Sequence, residues 1–342
     1  GVQTCALPIC ARWLNVAGSV LDAQLAPGIV YGGGALPIFE NNGVFKRTGG
    51  TGVGHCDYYF VNGATVSIEA GTMQFRQGGA LGATWSTSGG ATTAWTSGTF
   101  SNRVDTVFAG GGLFQVAGAT VRFDTDQATG ARVELAAGEF RGSRTLTLTG
   151  AFDWTGGAMR EDGKTVFAQG AMVNVKSVSQ KVHYERTIEN RTTVVWRDEG
   201  GLQAGLGARW TNAPGSVFDM QFTPSMLYGG GDSPRFFNRG VFKRTGGATV
   251  VGFCDYAVFN EGSVSVESGV LQFRGGGSVG GSWTVQGGAT ATFTTGVFSN
   301  QVGATLTGTG LFKVDGGTFR ADADMTTGSR FELASGEITG RS

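Results

Sequence analysis

Little in this chain can carry a field or shuttle a proton. Of 342 residues only 15% are charged, and 26 Lys and Arg balance 26 Asp and Glu. A chain with no net charge offers no electrostatic footprint for nucleic acid or anionic lipid, so neither is an expected partner. Histidine occurs twice, as His55 and His183. That leaves scant material for a hydrolase triad, and no CxxC or HxxxH spacing points to zinc. The apolar residues come in short alternating runs, none near the roughly 20 residues of a membrane span. Few stretches of a dozen residues escape Gly, Thr or Val, which are poor helix formers, so helices are not expected.

The 61 glycines and 24 phenylalanines dominate what is present. Glycine without a three-residue period excludes collagen, and the aromatic content argues against disorder. The chain is also written twice. Gly43–Gly50 reads GVFKRTGG, and Gly240–Gly247, 197 positions later, reads the same. Ala11-Arg12-Trp13 returns as Ala208-Arg209-Trp210, Cys56-Asp57-Tyr58 as Cys254-Asp255-Tyr256, and Trp85 as Trp283. The offset grows from 197 to 198 through one residue added near Ala248–Gly252. A long internal repeat in a turn-rich chain points to a solenoid. The expected organisation is a first long repeat over 11–207, continuous with a second, truncated one over 208–342, with 1–10 outside the fold. Cys56 and Cys254 occupy equivalent places. In copies stacked in series they lie many rungs apart, which excludes a disulfide and makes each a small buried apolar side chain.

Within each copy a shorter motif recurs, in which Gly and a small residue open an alternating strand, followed by Gly and a strand carrying Phe. It begins at Gly63, Gly90 and Gly118, spaced by 27 and 28 residues, and again at Gly170, Gly262 and Gly288. Runs such as Val66-Ser67-Ile68 and Leu146-Thr147-Leu148 send alternate side chains in and out. Glycine between the runs permits tight corners. Strands this short suit a single-stranded parallel β-helix, here expected to be right-handed. At roughly 20 to 28 residues per coil, about 12 to 16 coils would form a rod of roughly 55–80 Å. Phe75, Phe100, Phe114, Phe123, Phe140 and Phe152 should line its interior. A pair of β-sandwiches is the competing architecture, disfavoured because sandwich strands run longer. Lys176–Gly207 is richer in charge and poorer in Gly. It is expected to hold strands with long polar side chains on the exposed face, or else a binding excursion.

The stretch Leu146-Thr147-Leu148-Thr149-Gly150-Ala151-Phe152-Asp153-Trp154-Thr155-Gly156-Gly157 resembles the repetitive surface proteins of bacteria with β-solenoid passengers, the filamentous-haemagglutinin-like and autotransporter-like adhesins. The resemblance covers most of 11–342. It implies a secreted or cell-surface stalk that presents binding loops to host-surface, matrix or glycan ligands. The family supplies no single catalytic motif to carry over. Gly1–Ile9 resembles a translated sequencing-adaptor oligonucleotide. Ala35-Leu36-Pro37-Ile38 repeats four of those letters, although Pro37 also matches Pro234 of the second copy and reads equally as a natural loop. The missing initiator Met and the incomplete second copy suggest a piece of a longer reading frame.

The candidate sites are acidic. Asp124-Thr125-Asp126 and Asp322-Ala323-Asp324 fall at equivalent places, each before a Gly. Carboxylates two apart share a side, so each pair could hold Ca²⁺ or a sugar, and no other cofactor or metal is expected. Paired carboxylates also serve glycosidases and lyases, which makes a carbohydrate-active β-helix the alternative function. The plainer role is a corner Asp bonding its own backbone. Lys46-Arg47 and Lys243-Arg244 could meet an acidic glycan, with a solvated corner as the plainer fate. Thr290-Ala291-Thr292-Phe293-Thr294-Thr295 could form a flat Thr array. The principal expectation is a non-enzymatic stalk or adhesin with no catalytic residues, whose open ends associate end to end.

Overall fold

A computed structural model describes residues 11–24, 28–222, 225–247 and 250–340. The adaptor-like segment, Cys5 and Cys10 lie outside these residues, as do Ala248 and Thr249 of the inserted stretch. The described chain is all-β, with strands of two to eleven residues and no helix. None of it is therefore a helix long and apolar enough to cross a membrane.

The strands pair in parallel, each with its counterparts one coil before and one coil after. Ile38–Asn41 lies in register between Arg12–Asn15 and Tyr59–Asn62. Arg209–Asn212 lies in the same way between Thr187–Asn190 and Arg235–Asn238. Three strands make one coil, as in Tyr59–Asn62, Thr65–Ile68 and Thr72–Phe75. The chain is thus a β-solenoid of about 15 turns, and the sandwich alternative falls because coil-on-coil parallel pairing replaces hairpins. The described residues group into two compact units, 1–146 and 147–342. That division falls inside the first long repeat.

In the unit up to Leu146, alternation sends every second side chain inward. Phe75, Phe100, Phe114, Phe123 and Phe140 are all at most 3% exposed, and so is Phe152 of the second unit. Parallel register stacks like on like. Phe39 and Phe60 are register partners with rings stacked 5.1 Å apart and nearly parallel. In the second unit Trp210 lies over Phe236 at 6.3 Å and 13°. Burial of each such ring contributes roughly 1.5–3 kcal/mol before ordering entropy is subtracted. The close coil spacing explains glycine at Gly79 and its counterpart Gly277. At these positions φ is +152° and +130°, and a Cβ would sit 1.8 Å and 1.9 Å from the carbonyl oxygens of Phe60 and Val258.

A second column is polar. Asn15 donates to Asn41 Oδ1 and Asn41 to Asn62 Oδ1, both at 2.8 Å. In the second unit Asn190, Asn212, Asn238 and Asn260 form the same chain at 2.8, 2.8 and 2.6 Å. The other amide hydrogen of each donor caps a backbone carbonyl at a corner, as Asn212 does at Val241 and Asn238 at Ser263. Parallel stacking makes such ladders self-satisfying, because each amide is both donor and acceptor along the axis.

Two expectations are corrected. Arg47 and Arg244 do not reach solvent, since both are fully buried. Arg47 shares its inward parity with Phe45, and the following corner offers carbonyls. Nε donates to Ala70 O at 2.9 Å and Nη2 to Gly52 O at 2.8 Å, while Arg244 meets Ser268 O and Val250 O. Lys46 and Lys243 stay at the surface, each 3.8 Å from an Asp carboxylate. The polar stretch after Lys176 keeps Gln180, Glu185, Arg191 and Arg197 on the exposed face as expected, and departs from expectation at three charged or titratable positions. Lys181, His183 and Arg186 face inward and are fully buried. Lys181 Nζ donates to Ser177 O at 2.5 Å, and burial pushes its ammonium down to about 8. Arg186 donates to Thr165 Oγ1 and to the carbonyls of Arg160 and Lys164. Backbone carbonyls at the corners supply the acceptors that make inward cations tolerable.

Candidate functional site

Three of the four acidic candidates are engaged in local contacts, and among the described residues Asp324 is not. Asp124 and Thr125 donate their backbone N–H groups to Asn102 Oδ1, and the Asp124 carboxylate lies 3.3 Å from Arg122 Nη2. Asp126 Oδ1 accepts the N–H of Thr145 at 2.9 Å. Asp322 accepts Arg320 Nε at 2.7 Å, while Asp324 is exposed. Each pair therefore splits its duties, so that one carboxylate is matched by an Arg two residues earlier on the strand. Among the described residues no group of three or more His, Cys, Asp or Glu side chains converges as a metal cage. Trp154 and Trp283, the aromatics that would give a carbohydrate-active groove its floor, are at most 1% exposed. Thr292 is buried at 3%, so the Thr290 run builds no flat outward array.

His55 and Cys56, being adjacent on a strand, face opposite ways. His55 is half-buried, whereas Cys56 is fully buried and its thiol is pushed up to about 12 by burial. Cys254 behaves identically, also rising to about 12 through burial, and both thiols are free. Neither is a thiolate at neutral pH, so neither is a ready nucleophile.

A concave surface with charged and hydroxyl groups in its walls lies in the second unit, on one corner. A notch of about 410 Å³ is lined by Tyr228, Ser233, Asp255, Arg274, Gly275 and Thr295. Asp255 organises it. Its oxygens accept Arg274 Nε at 2.6 Å and Nη2 at 2.9 Å, and the N–H of Tyr228 at 2.9 Å. The guanidinium lies over the ring of Phe253, 4.3 Å from its centroid, which adds a cation–π contact to the fork. Tyr228 is 49% exposed, and its hydroxyl donates to Gly231 O at 2.5 Å. Thr295 Oγ1 donates to Arg274 O at 2.6 Å. Beside it a second notch of about 370 Å³ is lined by Gly207, Arg209, Asp232, Ser233 and Arg235, so Ser233 belongs to both walls.

The same corner in the first copy is built differently. His55 replaces Phe253, and Arg76 turns to Gln74 Oε1 at 2.7 Å, lying 3.6 Å from Asp57. Leu36 stands where the second copy has Ser233, and Gln77 where it has Gly275. Pro37 keeps the role of Pro234. Each is buried, and their carbonyls accept Tyr59 N–H and Ala257 N–H at 2.9 Å. Sequence reasoning did not single out this corner. Its signal was available in the substitutions between aligned copies, several of which fall at this corner: Leu36 for Ser233, Ile38 for Arg235, His55 for Phe253 and Gln77 for Gly275. Comparison of the chain with family models, with curated proteins and with solved structures gives no match.

Proposed function

We propose that the chain is a non-catalytic segment of an extracellular or cell-surface β-solenoid, a stalk or adhesin passenger of the filamentous-haemagglutinin-like and autotransporter-like kind. The observation that carries this reading is the fate of the acidic pairs. Asp124 and Asp322 are matched by Arg122 and Arg320 of the strands that precede them, and Asp126 holds a backbone N–H. A glycoside hydrolase needs two carboxyl groups facing one bond, and these serve local structure instead. Function then resides in reach and in the outward side chains of the corners, while interior columns of Phe and Asn keep the scaffold in register.

The test is an activity screen of the purified chain against neutral and acidic polysaccharides, following new reducing ends and unsaturated products. No turnover is expected. Turnover that disappears in Asp124→Asn and Asp322→Asn would replace the stalk reading with the carbohydrate-active one. Self-association follows from the same scaffold. Arg330–Gly340 leaves Leu333 and Ile338 51% and 46% exposed on a strand edge. Sedimentation at rising concentration should show oligomers, and a single monomeric species throughout would count against it.

A further inference from the structure

The corner around Ser233 places two notches side by side, and their unmet chemistry has one sign. Three guanidinium groups, from Arg209, Arg235 and Arg274, face two carboxylates, from Asp232 and Asp255. Asp255 is already committed to Arg274 and to Tyr228 N–H. Arg209 and Arg235 are register partners on neighbouring strands, both exposed, and among the described residues neither forms an ion pair. One coil separates them, about 4.8 Å, so their side chains can close on a single carboxylate. Next to that fork stands a half-exposed aromatic ring, Tyr228, with the hydroxyls of Ser233 and Thr295 around it.

An aromatic face, small hydroxyls and a two-arginine fork are complementary to a sugar ring that has an apolar face, hydroxyls and a carboxylate. The first copy has dismantled the same place. Arg12 is ion-paired with Glu40, Ile38 stands for Arg235, and Leu36 stands for Ser233. We infer that the corner around Ser233 in the second copy is a binding site for an acidic saccharide, recognised through a uronate carboxylate on Arg209 and Arg235 with its ring against Tyr228. The inference rests on the non-catalytic reading and gives that surface a ligand class.

The experiment titrates the intact chain with trigalacturonate, followed by saturation-transfer NMR and calorimetry, beside maltotriose and a sulfated trisaccharide. Binding of the uronate is expected, with maltotriose at least about tenfold weaker because it lacks the charge-assisted bonds. The double variant Arg209→Gln/Arg235→Gln should lose about tenfold or more, and Arg209→Lys/Arg235→Lys less, since it keeps the charges and loses the planar fork. Ser233→Leu, which copies the first repeat, should weaken binding severalfold. All three positions lie at the surface, so unchanged circular dichroism and unfolding midpoints separate lost binding from lost fold. Absence of uronate binding, equal affinity for maltotriose, tighter binding of the sulfated sugar, or full binding by the double Gln variant would each overturn the site. None of these touches the stalk reading, whereas cleavage of the bound trigalacturonate would sink that reading and leave the site standing.

Discussion

Tyr58 and Tyr256 hold the same place in the repeated sequence and lie in different surroundings. Tyr58 is partly exposed, and its hydroxyl has no partner among the described residues. Tyr256 is fully buried, with its hydroxyl 2.9 Å from His183 Nδ1. His183 Nε2 lies 2.7 Å from Arg186 O, and a carbonyl can only accept. Nε2 therefore carries the proton, and Nδ1 accepts from Tyr256. The His sits 73 residues earlier in the chain. In a solenoid, then, the local sequence fixes which way a side chain points, and coils far away in sequence fix what it meets. Columns such as the Asn ladder look alike in both copies, whereas sites built across several coils do not.

The largest expected effect tests the likeness. Asn238→Ala removes donations to Asn260 and Ser263 and the acceptor used by Asn212. Several buried groups lose partners at once, so about 3–5 kcal/mol should be lost. Asn41→Ala breaks the matching bonds of the first unit and should cost a similar amount. Urea unfolding with hydrogen exchange on each unit measures both. A loss below about 1 kcal/mol in either would show that the ladders are not equivalent supports.

The next effect exposes the difference. Burial holds His183 down to about 4, against 6.5 for the free side chain, with Arg186 O and the Arg186 charge as lesser influences. The folded state keeps the ring neutral where the unfolded chain takes a proton. Stability from this group is thus complete above pH 6.5, falls as the pH drops, and is lost below about 4. The difference amounts to about 3 kcal/mol. Unfolding of the wild type and His183→Asn across that window should show a steeper slope in the wild type, the remainder coming from carboxylates such as Glu189, and parallel curves would refute the assignment. Tyr256→Phe, which strips His183 of its donor, should cost about 1–3 kcal/mol, while Tyr58→Phe should stay within about 0.5 kcal/mol. Equal losses would mean that the hydroxyls, not the surrounding coils, set the energetics.

The fold was legible because its signals are local. Period-two runs bounded by Gly, and Phe at fixed places after Gly, specify inward parity coil by coil, and all six Phe expected inside are there. Parity also misled where it met charge. Arg47, Lys181 and His183 sit on the inward parity of their strands, and composition alone argued for the outside. What the sequence does not display is the ring of corner carbonyls that accepts their N–H groups, since a carbonyl has no letter. The Asn ladder was visible in principle, as Asn closes Ile38–Asn41, Tyr59–Asn62, Thr187–Asn190, Arg209–Asn212, Arg235–Asn238 and Ala257–Asn260. Its meaning needed the register that stacks these ends. The acidic pairs were legible as residues and not as chemistry, because the Arg that engages Asp124 or Asp322 lies near the end of the preceding strand, two positions before it.

The smallest effect addresses why the two corners diverge. Phe253 lies beneath Arg274 and leaves it aimed at Asp255, whereas with His55 in that place Arg76 faces Gln74. The ring is an apolar platform that the first arrangement lacks, so it should decide which acceptor the Arg takes. Phe253→His removes a cation–π contact at a partly exposed site and should cost about 0.5–1 kcal/mol. The structural readout is sharper than the energetic one. In a crystal structure of Phe253→His, Arg274 should swing from Asp255 toward Gln272, the counterpart of Gln74. His55→Phe should bring Arg76 onto Asp57 as a two-bonded fork. An Arg274 that keeps both bonds to Asp255 over a His would place the cause in the loop around Ser233 and free the ring of any directing role.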